Sequence, residues 1–374
     1  MNRYVSFLAM LVICVLVCNV SQAITYTVTD LGTLGGSRGT IATGINNSGQ
    51  IVGNSPVTDN PLHTHAFLYS SGKMIDLGTL GGTDSSASAI NDVGQIVGSS
   101  KGQDGLDYCF RTEPYSPINP NTDDLGGGSA SAINASGQVV GYRNTYPSAY
   151  RTAPNSPINW PADCLLDPYG YGNSVANGIN DSGHVVGMFS PNGSGWMGFL
   201  YTSPTDPCLR MGSLGGGETV VNDINSNGQV VGASDIGGHY HAFRTSPYTP
   251  IAPATDDLGS LGGQSSAAAI NNLGQAVGNS SLTPDRYPWE IGYTHAFLYS
   301  NSTMIDLNSL IDSASGWTLS EANDINDAGQ IVGAGLIGGQ THAFLLTPVP
   351  EPSTLVILIS ALLGFGWIKL ARWR

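Results

Sequence analysis

Six of the seven histidines fall in the third-strand region of a repeated unit, and two pairs of them, His63/His65 and His239/His241, stand two residues apart. On an extended strand that spacing puts both imidazoles on one face, from which they could chelate a metal ion. No third ligand recurs at a fixed spacing from them. A residue repeated unit after unit is more economically a packing and hydrogen-bonding position, so no metal site is expected. Asp223-Ile224-Asn225-Ser226-Asn227-Gly228 opens like a calcium loop, but Ile224 falls on a strand position and no bidentate Glu follows at the twelfth place. The stretch Asn279–Thr294 is the most chemically loaded: Asp285, Arg286, Tyr287, Trp289, Glu290 and Tyr293 combine aromatic planes with hydrogen-bonding groups. That mixture suits stacking against sugar rings, and these six are the candidate ligand-binding residues. A loop whose Trp packs down on the body is the other reading. Asp285 and Glu290 are also the only carboxylate pair that could act as the acid and base of a polysaccharide lyase or hydrolase. No Ser-His-Asp order, nucleophile elbow or HExxH appears, so neither a catalytic residue nor a cofactor is expected.

The elements that would position these residues are repeats. The phrase Ala-Ile-Asn-x-x-Gly-Gln-Ile-Val-Gly returns with its Ile at 45, 90, 133, 179, 224, 270 and 325. A His-Ala-Phe-Leu-Tyr phrase follows in most copies, then Met-Ile-Asp-Leu-Gly-x-Leu-Gly-Gly, as in Met74 to Gly82. Ser88–Ile90 and Gln95–Val97 read as strands joined by the Asn91-Asp92-Val93-Gly94 turn. His65–Tyr69 and Met74–Leu77 make a third and a fourth strand, with Ser71-Gly72 turning between them. Each unit is a four-stranded antiparallel meander, too small to bury its faces alone.

Seven such units with a period near 45 predict an all-β chain, a seven-bladed β-propeller of four-stranded antiparallel blades over residues 24–347. A stacked β-solenoid is the alternative. The seventh unit stops after His342–Leu346 without a fourth strand, while Tyr26–Leu31 is a fourth-strand phrase lacking the other three. The N-terminal strand can therefore complete the last blade, which a ring needs and a solenoid does not. The short, regular turns should occupy one end of the ring and the long connections the other. The repeated Gly-Gln-Ile-Val-Gly and His-Ala-Phe phrases resemble HAF extracellular repeats over Tyr26 to Leu346. Three units depart from that pattern, with Tyr108-Cys109-Phe110, Ser148-Ala149-Tyr150 and Met197-Gly198-Phe199 in place of His-Ala-Phe.

The two ends read as addresses. Arg3, an apolar core from Phe7 to Val17, and Ser21-Gln22-Ala23 before Ile24 predict a signal peptide over 1–23, cut after Ala23 by signal peptidase. Residues 348–374 hold Val349-Pro350-Glu351-Pro352, an apolar run at 355–368, then Lys369, Arg372 and Arg374. That order resembles the PEP-CTERM sorting signal. The resemblance implies an exosortase as processing enzyme, a membrane-held C-terminal segment until cleavage, and release to the cell surface or exopolysaccharide matrix of a Gram-negative bacterium. A plain membrane anchor is the alternative reading of the tail. Cys14 and Cys18 leave with the leader. Of Cys109, Cys164 and Cys208, the last two lie near fourth strands of neighbouring units and are the expected disulfide. Four of the 13 basic residues lie outside 24–352 but none of the 27 acidic ones, so the body is more acidic than the chain's formal −14. Such a field repels nucleic acid phosphates, which are excluded as a partner. The expected function is a non-enzymatic binding or structural module, with exopolysaccharide or surface proteins as partners.

Overall fold

Each Asn-x-x-Gly-Gln phrase ties a turn in the same way. In the second copy, Asn91 N–H donates to Gln95 O (3.1 Å), Gly94 N–H to Asn91 O (3.0 Å), and Gln95 N–H to Asn91 Oδ1 (2.9 Å). Gly94 holds φ +89°, a conformation that costs glycine little. The computed structural model describes residues 25–36, 39–57, 60–144, 148–165, 173–193, 195–203, 208–284 and 294–349. The chain forms two compact units, Val28–Thr347 and a second made of residues 1–27 with 348–374. In the second, the described residues include a bond from Val349 N–H to Thr25 O (2.9 Å).

Val28–Thr347 is a seven-bladed β-propeller, with no α-helix among the described residues. Strand β1 (Tyr26–Asp30) precedes the first blade. Blade 1 runs β2 (Ile41–Ile45), β3 (Ile51–Val57), β4 (Asn60–Ser70) and β5 (Lys73–Asp76). Blade 2 is β6 (Gly81–Ile90), β7 (Ile96–Gly102), β8 (Asp107–Arg111) and β9 (Asp124–Gly127). Blade 3 is β10 (Ser129–Ile133), β11 (Val139–Tyr142) and β12 (Ala149–Arg151), and blade 4 is β13 (Ser174–Ile179), β14 (Val185–Phe189), β15 (Met197–Tyr201) and β16 (Leu209–Arg210). Blade 5 is β17 (Thr219–Ile224), β18 (Val230–Ile236) and β19 (His239–Arg244). Blade 6 is β20 (Ser265–Ile270), β21 (Ala276–Ser281), β22 (Thr294–Ser300) and β23 (Thr303–Asp306). Blade 7 is β24 (Trp317–Ile325), β25 (Ile331–Ile337) and β26 (Gln340–Pro348), and β1 pairs with β26 as its outer strand. In blades 3 and 5 the fourth strand shrinks to a single bridge, Tyr150 to Cys164 and Phe243 to Asp257.

The closing seam is specific. Leu31 N–H donates to Ala343 O (3.1 Å), and Asp30 Oδ2 meets His342 Nδ1 at 2.8 Å. Apolar cores lie between blades rather than within them: Val52, Leu68 and Leu77 of blade 1 pack with Ala87, Ile96 and Phe110 of blade 2. Burial between neighbours is what a thin meander requires, since alone it leaves one face wet. The aromatic ring of each third strand (Phe67, Phe110, Tyr150, Phe199, Phe243, Phe297, Phe344) is buried. The glycine ending Gln-Ile-Val-Gly makes room for it. A Cβ on Gly232 would lie 2.0 Å from Val220 O and 3.0 Å from the Phe243 ring.

Candidate functional site

The axis is the most regular site in the molecule. Every innermost strand carries a bulge just before its end, as between Ala42 and Gly44 or between Ala87 and Ala89. Four of the bulged residues reach the next blade: Thr43 bonds Ala87 O, Asn177 Val221 O, Asn222 Ala267 O and Asn323 Ala42 O. The turn asparagines complete the circuit. Asn46 Nδ2 donates to Asn91 O, Asn91 to Asn134 O, Asn134 to Asn180 O, and Asn180 to Asn225 O. Asn225 then donates to Asn271 O, Asn271 to Asn326 O, and Asn326 back to Asn46 O, at 3.0–3.2 Å throughout. The second proton of each amide goes to the following Gln, or to His184 Nδ1 in blade 4. Closure is thus written into one residue of the repeat. The apparent calcium loop is part of this ring, because Asn225 is a ring member.

Inside the ring lies a cavity of about 200 Å³ lined by the seven Ile-Asn steps and by Asp92, Asp181, Asp223 and Asp327. Its rim carboxylates are engaged by the adjacent blade: Asp92 accepts both Asn47 N–H and Asn47 Nδ2, Asp181 accepts Ala135 N–H, and Asp327 accepts Asn272 N–H and Nδ2. Deeper on the axis, Asp223 receives Ile270 N–H and Asp324 receives Ile45 N–H. Both keep partial exposure toward the axis and are otherwise walled in by protein. Burial pushes both carboxyls upward, and the charge of Asp223 adds to the effect at Asp324, which reaches about 7.

The recurring histidines hold aspartates. His65, His241, His295 and His342 place Nδ1 at 2.9, 3.0, 2.7 and 2.8 Å from Asp76, Asp257, Asp306 and Asp30. The same carboxylates accept backbone N–H groups of Gly78, Gly259, Asn308 and Gly32. The third-strand His and the Asp of Ile-Asp-Leu-Gly therefore form one structural device. The i, i+2 pair does not converge on one point: His63 faces Asp84 at 3.4 Å while His65 faces Asp76. Among the described residues, no group of three His, Cys, Asp or Glu side chains is placed to hold a metal.

The turn end is less plain than the sequence predicts. In blades 2, 3 and 5 the third strand runs into a longer connection, Thr112–Asp123, Thr152–Asp163 and Thr245–Asp256. These blades read Arg after the buried aromatic, and Arg111, Arg151 and Arg244 donate to Gly137, Gly183 and Gly274 O of the next blade. The connection reaches the other way, with Ile118, Ile158 and Ile251 N–H bonding Leu77, Leu125 and Met211 O of the preceding blade. These insertions staple three blades together. Their signal was the shared Pro-x-Ser/Thr-Pro-Ile spelling, Pro114–Ile118, Pro154–Ile158 and Pro247–Ile251.

At the loop end, blade 2 departs from the repeat. Tyr108 replaces His, and its hydroxyl donates to Asp104 (2.7 Å), which raises the Tyr108 pKa and lowers that of Asp104. Two cavities flank it. One, about 260 Å³, is lined by Gly105, Leu106, Asp107, Tyr108, Gly127, Arg143 and Asn144; the other, about 290 Å³, includes Leu80, Gln103, Asp104, Pro120 and Asp124. Arg143 lies over the Trp160 ring at 4.9 Å, and Lys101 pairs with Asp107 at 3.1 Å.

The six loop residues Asp285, Arg286, Tyr287, Trp289, Glu290 and Tyr293 lie outside the described residues, as do 1–23, Pro350–Pro352 and the apolar run 355–368. Among the described residues no helix is long and apolar enough to cross a membrane. The expected Cys164–Cys208 disulfide does not form. The Cys164 thiol points to Leu165 O and the Cys208 thiol to Leu200 O, because the two sit on outer edges of different blades. Cys109 fills the Ala position of its repeat, accepts the Tyr150 hydroxyl (3.3 Å), and is pushed by burial to about 12, so it stays a thiol.

No family model matches the chain, and no curated protein does. Solved structures do match, among them one from a structural and mechanistic study of two prolyl endopeptidases and the role of inter-domain dynamics in their catalysis and specificity. That match has a TM-score of 0.48 and 10% identity, over 88% of this chain and 51% of the other. The chain thus spans about half the length of that structure, and no activity carries over from it.

Proposed function

We propose that this chain is an exported, non-enzymatic binding or structural module of the cell surface or exopolysaccharide matrix, sorted by an exosortase acting at Val349-Pro350-Glu351-Pro352. The observation that carries the reading is the use made of the axial polar groups. The ring asparagines and the aspartates Asp92, Asp181, Asp223, Asp324 and Asp327 each hold a neighbouring blade. Groups committed to fixed bonds make a durable scaffold, and durability suits service beyond the reach of chaperones. The acidic body favours neutral polysaccharide over polyanions. Incubating the purified protein with the producing organism's own polysaccharide tests this. Retention without new ends supports a binder. New reducing or unsaturated ends would mean a lyase or hydrolase instead, and passage without retention leaves a packing role alone. Mass spectrometry of the mature form tests the sorting: a C-terminus within Pro350–Pro352 supports it, and an intact Arg374 means a membrane-anchored protein.

A further inference from the structure

We propose that the surface around Tyr108 of blade 2, with one recess toward blade 3 and one over blade 2 itself, binds pyranose units of a neutral polysaccharide. The inference rests on the polysaccharide reading above and gives it a site. A cavity of about 260 Å³ on one side of Tyr108 and about 290 Å³ on the other place an aromatic residue between two recesses, each near the lower size limit of small-ligand pockets. The first recess is two-sided. Leu106 (62% exposed) and the Tyr108 ring offer the apolar surface that a sugar's C–H face needs, while Arg143 and Asn144 offer donors for its hydroxyls. The polar groups are pre-set: Tyr108 is pinned to Asp104, Asp107 to Lys101, and the Arg143 guanidinium to the Trp160 ring. Pinned side chains lose little freedom on binding.

The repeat supplies a second, independent argument. Four units use this position for a His that holds the fourth-strand Asp. In blade 2 that aspartate, Asp124, still accepts Gly126 N–H without a His, so the fourth-strand Asp does not need a ring partner there, and Tyr108 is turned to Asp104 instead. Three carboxylates near the groove, Asp104, Asp107 and Asp124, outnumber Lys101 and Arg143, which disfavours uronic-acid polymers.

The test is titration calorimetry of the purified protein with cellohexaose, maltohexaose and mannohexaose, and with a galacturonate hexamer as the charged arm. At least one neutral hexamer should bind. Tyr108→His, which restores the repeat's own residue, and Arg143→Ala should each weaken it about tenfold or more. Tyr108→Phe should stay within about threefold, since it keeps the ring, and Tyr108→His should remain fully folded at the assay temperature, with a single cooperative unfolding transition, because its ring only partly covers the core of blades 1 and 2. Unchanged binding in Tyr108→His, binding of the galacturonate hexamer alone, or no binding of any neutral hexamer overturns the proposal. The organism's own polysaccharide separates the two readings. If Tyr108→His is retained on it like wild type while Trp289→Ala is not, the groove is wrong and the binder stands. If wild type is not retained, polysaccharide binding has failed, the groove with it, and only the packing role is left.

Discussion

Asp324 gives the sharpest stability prediction. Its carboxyl lies on the axis, accepts Ile45 N–H across the seam between blades 7 and 1, and shares the channel with Asp223. Five blades manage without an acid there, using Gly44, Ala89, Ala132, Gly178 and Ala269. Burial raises the group from 3.8 to about 7. The folded state thus holds the proton more tightly than the unfolded chain does. The resulting penalty is absent below about pH 4, grows between about 4 and 7, and is full above 7. Three pH units correspond to about 4 kcal/mol, an upper figure because the axis admits water. Asp324→Asn removes the charge and keeps one oxygen for Ile45 N–H, giving up the second acceptor that Ile325 N–H uses. Equilibrium denaturation at pH 4 and pH 8 should therefore show the variant about 1 kcal/mol less stable at pH 4, for the lost Ile325 bond, and more stable than wild type at pH 8 by the remainder of that amount. A variant less stable at pH 8 would refute the reasoning, since the ionised carboxylate would then be holding the seam.

Two further substitutions probe the repeat. Gly232→Ala puts a methyl against Val220 O and the Phe243 ring, and should cost about 3 kcal/mol or more in thermal unfolding. Gly72→Ala meets nothing within 4 Å and should cost only about 1 kcal/mol for its positive φ. Asn134→Ala removes the donor to Asn180 O and the acceptor for Gln138 N–H, and should cost about 2–3 kcal/mol by urea titration.

The propeller was legible because the repeat is spelled in residues whose roles are local: Asn and Gly for the turn, β-branched residues for strands. Closure was legible too, from the fourth-strand phrase Tyr26–Leu31 facing a blade that lacks one. The ring of asparagines was not, since a turn residue's spare donor points to a partner about 45 positions on and no local pattern names it. The His–Asp pairing was hidden for a similar reason: the two residues belong to adjacent strands, and only register brings them together. The insertions of blades 2, 3 and 5 were missed, their third-to-fourth-strand connections being expected as short turns, because proline-rich stretches carry no strand or helix period. Cys164 and Cys208 were matched by their place in the unit, which ignores that equivalent places in adjacent blades are splayed outward. Of the candidate sugar surface, the sequence singled out the Asn279–Thr294 loop. It did not show that Tyr108, on the third strand of blade 2, borders two recesses.

Ring closure by β1 is the claim on which the rest depends, and a short cross-link tests it directly. With Cys109, Cys164 and Cys208 changed to serine, Asp30→Cys and His342→Cys place two thiols where the native side chains meet at 2.8 Å. A short bis-maleimide should join them at high yield in the folded protein and lose that yield in denaturant. A control pairing Asp30→Cys with His241→Cys, in blade 5, should remain unjoined. Equal yields for the two pairs, or none for the first, would contradict a ring closed by its N-terminal strand.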